Sequence, residues 1–383
     1  MALHFEPAEY EARKKSVIRE LDARGLDGLL MFQQESMYYL TGFDTFGFCF
    51  FQCLYLATDG TLALLTRSAD LRQAQHTSNV EDIRIWTDGV DANPPLKLRD
   101  MLESLGTKGK KLGVEYQSYG LTAANGKALD AVLDGFCTLE DASGLVDSVR
   151  VVKSPAELAF VRNAGELCDA ALQAALLETR AGAAEGAILA AMQGAVFSGG
   201  GDYPANEFII GSGEDALLCR YKAGRRILST NDQLTLEWAG AYRHYHAAMM
   251  DTVIIGELRE PHEMMFAAAQ EALLACREQL RPGRTAGDVY SAHADVMAEH
   301  GLEKHALAAC GYSLGAKFTP SWMDWPMFYK ANPAELGPGM VFFTHMILMD
   351  SDTGTAMTLG RSYILTEGKP EHLSKMPLEL LRC

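Results

Sequence analysis

The chain has 383 residues, 34 Lys and Arg against 50 Asp and Glu, a formal net charge of −16, and 48% hydrophobic residues. That length suggests two or three domains, and the composition is globular rather than disordered or collagen-like. The acidic surplus argues against a nucleic-acid partner, whose phosphates need clustered Lys and Arg, and against an anionic membrane surface. It leaves open a metal site built from carboxylates.

Eight Cys without a CxxC pair, most of them in apolar runs, read as free thiols. The start lacks the basic and apolar regions of a signal peptide, and no apolar run reaches the roughly 18 residues that span a bilayer. The expectation is a reduced, cytoplasmic, soluble protein.

In chain order, 8–25 reads as an amphipathic helix and 29–32 as a short buried strand. Met37–Gly42 leads into an aromatic run, Phe46 to Tyr55. Strands follow at 61–65, after the Asp59-Gly60 turn, and at 83–86, with a helix near 69–76 between them. Pro94-Pro95 opens a helix at 96–105; 111–115 is a strand and 121–133 a helix. This alternation predicts an α/β N-terminal domain.

The boundary falls near 152, giving domains 1–152 and 153–383. Ser154-Pro155-Ala-Glu157 is a helix start, with a Ser cap, Pro in the first turn and Glu three residues on, and the helix runs over 155–179. A helix at 184–196 follows, then strands at 207–211, 217–221, 233–238 and an unusually long 241–256. Helices at 261–280 and 285–300 precede strands at 308–315, 340–349 and 355–366. This second half predicts an α+β domain with a curved antiparallel sheet.

Glu237 ends an apolar strand, Leu234–Gly240, where a carboxyl must be paired or functional. Burial would raise its pKa and suit it to general acid–base work. His244-Tyr-His246 puts two imidazoles on one face if the strand is continuous, a chelating spacing, but Ala247-Ala248-Met249-Met250 follows and cannot ligate a hard cation. Gly199-Gly-Gly201 lacks dinucleotide-loop spacing and reads as a tight connection approaching a cavity. Gly311-Tyr-Ser313-Leu-Gly315 matches a nucleophile elbow, but no helix follows it. The aromatic run Trp322–Tyr329 is a candidate pocket wall.

Together these segments resemble the creatinase, Xaa-Pro aminopeptidase and methionine aminopeptidase superfamily, the pita-bread fold, over nearly the whole chain. Met37-Tyr-Tyr-Leu-Thr-Gly42, Val152-Lys-Ser-Pro-Ala-Glu157, Leu280-Arg-Pro-Gly283, Leu336-Gly-Pro-Gly-Met-Val341 and Ile364-Leu-Thr-Glu-Gly368 carry the resemblance. In the metallopeptidases of that superfamily two Asp, a His and two Glu hold two metals. Carried over, those positions fall on Glu237, Ala248, Tyr312, His345 and, within a residue, Arg361; a substrate-side His falls near Arg220. The resemblance thus implies no metal and no cofactor, and points to the metal-free branch of creatinase and the ectoine hydrolases. Gly200–Pro204, Glu237–His246 and Gly311–Gly315 resemble ectoine-hydrolase segments, whereas Phe318–Asp324 departs from them.

Three readings follow. The preferred one is a metal-independent C–N hydrolase of a small zwitterionic or carboxylate-bearing nitrogen compound. Glu237 is then the acid–base; His246, His345 and Tyr312 assist as catalytic residues; Arg220 and Arg361 clamp a carboxylate, and His244, Trp322 and Asp324 complete the substrate site. The cleft is then comparatively cationic. The alternatives are a metal-dependent Xaa-Pro dipeptidase, with an atypical centre of Glu237, His244, His246 and His345, and a non-catalytic binding protein in an emptied peptidase cleft. The resemblance also implies a homodimer, with residues 43–55 as a candidate cross-subunit lid.

Overall fold

A computed structural model describes residues 3–221 and 224–383. The chain divides into two compact units, Met1–Arg150 and Val151–Cys383.

The first unit holds α1 (Pro7–Arg24), β1 (Gly28–Met31), α2 (Gln34–Thr41), β2 (Cys53–Ala57), β3 (Leu62–Arg67), α3 (Leu71–Thr77), β4 (Asp82–Trp86), α4 (Pro94–Ser104), β5 (Lys111–Val114), α5 (Ala123–Leu133), β6 (Thr138–Asp141) and α6 (Leu145–Arg150). Its mixed sheet has the order β4-β3-β2-β1-β5-β6. The strands read as unbroken apolar runs because both faces are covered. Leu30 and Tyr55 face a core with Leu98 of α4 and Leu129 of α5. Leu29 and Leu54 face a second core with Val17 of α1 and Leu145 of α6. The aromatic run resolves into a short 3-10 turn, Gly47–Cys49, and β2; Phe46 and Phe50 remain exposed.

The second unit begins at α7 (Pro155–Glu178), whose start is the expected one: Ser154 Oγ accepts from Glu157 N–H, and Glu157 accepts from Ser154 N–H. There follow α8 (Glu185–Ser198), β7 (Ile209–Ser212), β8 (Asp232–Tyr242), β9 (Tyr245–Ile255), α9 (Glu260–Gln279), α10 (Ala286–Glu299), β10 (Ala309–Ser313), β11 (Asp324–Tyr329), β12 (Val341–Asp350) and β13 (Thr355–Ile364). The sheet path is β11-β10-β12-β13-β9-β8-β7, antiparallel throughout. The architecture is the two-domain pita-bread arrangement.

Two expected strands are corrected. Residues 217–221 form no strand: a 3-10 turn, Gly213–Leu217, precedes an exposed loop. The long strand 241–256 is the second arm of a hairpin, turned by Arg243 and His244 at φ 51 and 64. Two consecutive left-handed residues match the right-handed twist of the flanking strands, so the hairpin accepts them without glycine.

Helices cover one face of this sheet. Gly240 of β8 is required there, since a Cβ would lie 2.0 Å from the Ala164 carbonyl oxygen of α7. Trp238, on the same face, donates its indole N–H to the Cys168 carbonyl at 2.9 Å. Leu273 of α9, Val289 of α10, Met346 of β12 and Leu359 of β13 form the main core there. Burying each such side chain contributes about 1.5–3 kcal/mol.

Candidate active site

Alternation along the strands decides which residues share the other face. Glu237 of β8 pairs with Met250 of β9, Met250 with Gly360 of β13, and Gly360 with His345 of β12. Phe343, two residues before His345, pairs with Tyr312 of β10. Glu237, Met250, His345, Phe343 and Tyr312 therefore line one surface. Gly360 makes room in the middle, where a Cβ would fall 2.6 Å from carbons of the Phe343 ring.

A hydrogen-bonded chain runs into the carboxyl. Trp322 donates its indole N–H to the Tyr312 hydroxyl at 2.9 Å, and that hydroxyl donates to Glu237 Oε1 at 3.2 Å. With one lone pair engaged by Trp322, Tyr312 directs its only proton at Glu237. Desolvation raises the Glu237 pKa to about 7, against the opposing pull of the Tyr312 hydrogen bond and the Arg220 charge. Burial also raises that of Tyr312, with the neighbouring Glu237 charge adding to it, so the phenol keeps its proton. Glu237 thus sits near neutrality with one oxygen fixed, the condition for both taking and returning a proton.

His345 is 7% exposed, and its Nδ1 has no hydrogen-bond partner among the described residues. Its ring lies 5.6 Å from that of Tyr312 and 5.4 Å from that of Phe343. Desolvation, with the nearby His293 adding to it, lowers its pKa to about 3. The imidazole is neutral and its buried Nδ1 is uncommitted.

His246 lies on the same face but is engaged by backbone. Its Nε2 accepts from Ala205 N–H at 3.0 Å, and its Nδ1 is 3.3 Å from the Gly315 carbonyl, which fixes the Nδ1–H tautomer. Burial lowers its pKa to about 3. The expectation of a proton-transferring His246 is corrected accordingly: both nitrogens hold the Gly199–Ala205 connection and the Gly315 turn in place. His244 does not share a strand with it. It sits in the hairpin turn, stacked on Phe318 at 4.2 Å between ring centroids.

Arg361 is also corrected. Its neighbour Gly360 is on the Glu237 face, so Arg361 points to the helix-covered side, as does Asp251 next to Met250. It is 1% exposed and forms a two-pronged ion pair with Asp251 at 2.9 and 3.1 Å, and it donates to the Met250 and Gly360 carbonyls. Cys168 of α7 feels both charges. This guanidinium cannot reach a substrate on the opposite face. Arg220, exposed in the loop after Leu218, is close enough for its charge to act on Glu237, Tyr312 and His345. Around Glu237 and His345 the cationic character therefore rests on Arg220, while Lys317 acts on His246, and both imidazoles are neutral. Asp324 pairs with Ser313 in the β10–β11 ladder, and its carboxyl lies beside Gly315 and Lys153.

Sequence reasoning did not single out Met250, Ile347 or Met349, which wall a cavity beside Glu237. Their only signal was the apolar texture of β9 and β12, which core residues share.

These features define a two-domain protein of the creatinase and Xaa-Pro aminopeptidase superfamily. Residues 159–367 match the metallopeptidase family M24, and residues 13–152 match the creatinase/prolidase N-terminal domain. The chain belongs to family M24, a family of hydrolases. It is 29% identical to an ectoine hydrolase of Halomonas elongata, over 99% of this chain and 98% of that protein. It is 23% identical to a Xaa-Pro dipeptidase of Pyrococcus horikoshii, over 96% and 98%. Its fold is like that of a Xaa-Pro dipeptidase from Bacillus anthracis, with a TM-score of 0.85 at 20% identity, over 98% of this chain and all of that one.

The family implies metal, and the donor set of this chain does not fit it. Of the positions onto which the metal ligands of the superfamily carry over, Ala248 has no donor, Arg361 is paired with Asp251 on the helix-covered side, and the Tyr312 hydroxyl is engaged with Glu237 and Trp322, which leaves Glu237 and His345. A two-metal site needs ligands that bridge ions roughly 4 Å apart, and a catalytic zinc needs three protein ligands. Among the described residues no group of three or more His, Cys, Asp or Glu lies close enough to share an ion.

Proposed function

We propose that the chain is a metal-independent C–N hydrolase of a small zwitterionic or carboxylate-bearing nitrogen compound, with Glu237 as its general acid–base. The observation that carries this reading is the chain Trp322–Tyr312–Glu237, which holds one carboxyl at a pKa of about 7 on a face without a metal-binding donor set. The ectoine hydrolase relative supports the same reaction class.

In the reaction, ionised Glu237 takes a proton from water, and the resulting oxygen attacks the carbonyl or amidine carbon. Neutral His345 donates a hydrogen bond to the oxygen or nitrogen that gains electron density. Glu237 then returns its proton to the leaving nitrogen as the C–N bond breaks, so water is consumed and the carboxyl is restored. Arg220 holds a substrate carboxylate by charge-assisted hydrogen bonds. Trp322 positions Tyr312, and His244 with Phe318 belongs to the surrounding wall.

Replacing Glu237→Gln is expected to abolish turnover, by roughly 100-fold or more, with the fold intact by circular dichroism. Full activity in that variant overturns the assignment. Elemental analysis tests the metal-independent part: a stoichiometric metal whose removal by chelator ends turnover would favour Xaa-Pro dipeptidase chemistry instead. A reducing, cytoplasmic setting belongs to the same proposal, supported by eight free thiols, and the homodimer is part of it by resemblance alone.

A further inference from the structure

Glu237 is held by Tyr312, and Tyr312 by Trp322, but Trp322 itself lies in no helix or strand. It belongs to the irregular stretch 314–323 between β10 and β11, and it is 1% exposed. A second irregular stretch, 199–206 after α8, supports it: Asn206 Oδ1 accepts from the Trp322 backbone N–H at 3.2 Å. An indole on a loop keeps one orientation only if the segments around it are tied down, because their chain entropy opposes it.

One side chain ties both stretches. His246 of β9 is fully buried. Its Nε2 accepts from the N–H of Ala205, the residue before Asn206, at 3.0 Å. The Gly315 carbonyl accepts from the His246 backbone N–H at 3.2 Å and faces its Nδ1 at 3.3 Å. The imidazole also lies beside the Trp322 indole, with ring centroids 6.4 Å apart. Further out, Asp202 N–H donates to the Ala241 carbonyl at 2.8 Å and Lys317 N–H to the His244 carbonyl at 3.0 Å. His244 and Lys317 are the charged groups that act on the His246 ring, and burial keeps that ring neutral, so Nε2 remains an acceptor.

We propose that His246 is a positioning residue for the Glu237 carboxyl: by latching 199–206 to β9 it holds Asn206 on Trp322, and so keeps the Tyr312 hydroxyl directed at Glu237. The consequence for turnover rests on Glu237 being the acid–base; the coupling itself does not. Without the latch the indole would leave the Tyr312 oxygen, and the hydroxyl could turn away. Glu237 would then lose the hydrogen bond that favours its charged form, and its titration would move up. Tyr312 and Arg220 are the other groups acting on that titration, and both stay unaltered in the variants below.

The test needs no substrate. The chain has four Trp, so full-length protein with isotope-labelled tryptophan gives a small set of indole N–H signals by NMR, and Trp322→Phe assigns the one from Trp322. In wild type that signal should titrate with Glu237 at a midpoint of about 7, and the titration should vanish in Glu237→Gln. His246→Asn keeps a donor at the Nδ1 position and has nothing at Nε2, and its midpoint should rise by about half a unit or more. His246→Gln places an amide oxygen where Nε2 lies and should restore the wild-type midpoint. Asn206→Ala leaves His246 in place, should raise the midpoint as His246→Asn does, and decides the matter if His246→Asn does not fold. An unchanged midpoint in Asn206→Ala overturns the proposal, as do His246→Asn and His246→Gln that shift alike, or a Trp322 signal that does not titrate in wild type. The two levels of the argument separate cleanly. If the midpoint is unmoved while Glu237→Gln abolishes turnover, the acid–base stands and the latch falls. If the midpoint moves while Glu237→Gln stays fully active, the latch stands and the acid–base falls.

Discussion

Glu237 shows how a desolvated carboxyl works against the stability of its own fold. In the folded chain it holds its proton up to a pH of about 7, against an ordinary value of 4.5. Between those values the folded state binds more protons than the unfolded one, so stability falls as pH rises through that window and levels off above it. The shift corresponds to on the order of 1–2 kcal/mol once the partial solvent access of the side chain is allowed for. Glu237→Gln carries no such cost and can still accept the Tyr312 hydroxyl. It should therefore melt a few degrees above wild type at pH 8 and level with it at pH 4. Calorimetry at the two pH values checks this, and an equal gain at both would show that desolvation of the carboxylate is not the cause. Activity should follow the opposite course and rise through a pH of about 7 as Glu237 ionises. At this scale the sequence was informative about Glu237, because an acid in an apolar strand is rare without a reason, although the structure places it at the middle of β8 rather than at a strand end. It was silent about tautomers. His246 and His345 look alike in the sequence, yet one has both nitrogens engaged by backbone and the other has a buried nitrogen without a partner.

Among the strands, the two arginines show what register decides. Arg220 and Arg361 are equivalent as letters, and both were expected to clamp a carboxylate. The pairing of β9 with β13 sends Arg361 to the helix-covered face, into Asp251. Removing one member of a buried pair strands the other, at a cost of about 3–5 kcal/mol. Arg361→Met should accordingly lower stability by about that amount and leave KM for a carboxylate substrate unchanged in the folded fraction. Arg220→Ala should do the reverse, raising KM roughly ten-fold or more with little change in melting temperature, because an exposed side chain contributes little to the fold. A KM effect at Arg361 alone would show the faces to be misassigned. The hairpin is a second case. The apolar run through β9 suggested one long strand that included His244, and only the left-handed turn at Arg243-His244 separates the two imidazoles.

For the molecule as a whole, the charge of −16 first left room for a carboxylate metal site. The fold places those acids elsewhere, and the face around Glu237 is nearly neutral. The surplus is consistent with a solvated surface that keeps copies apart except where a specific contact overcomes repulsion. The expected homodimer should give twice 41.8 kDa by light scattering at physiological salt. A monomer at all working concentrations would remove residues 43–55 from consideration as a cross-subunit lid.

By itself the sequence determined the two-part organisation, the fold class, most helices, the cap at Ser154 and the perturbed carboxyl at Glu237. Periodicity, capping chemistry and the placement of one acid are local properties, legible along the chain. It also supported the superfamily resemblance, because short motifs keep their order. Only the tertiary structure decided the composition of the site. Which of Arg361, His345 and Met250 faces Glu237 depends on strand pairings, one of which joins Met250 to Gly360 across 110 positions of the chain. A one-residue difference in register moves a side chain to the other side of the sheet. The apolar cavity beside Glu237 is likewise invisible in sequence, since a methionine that walls a pocket and one that fills a core are the same residue in different surroundings.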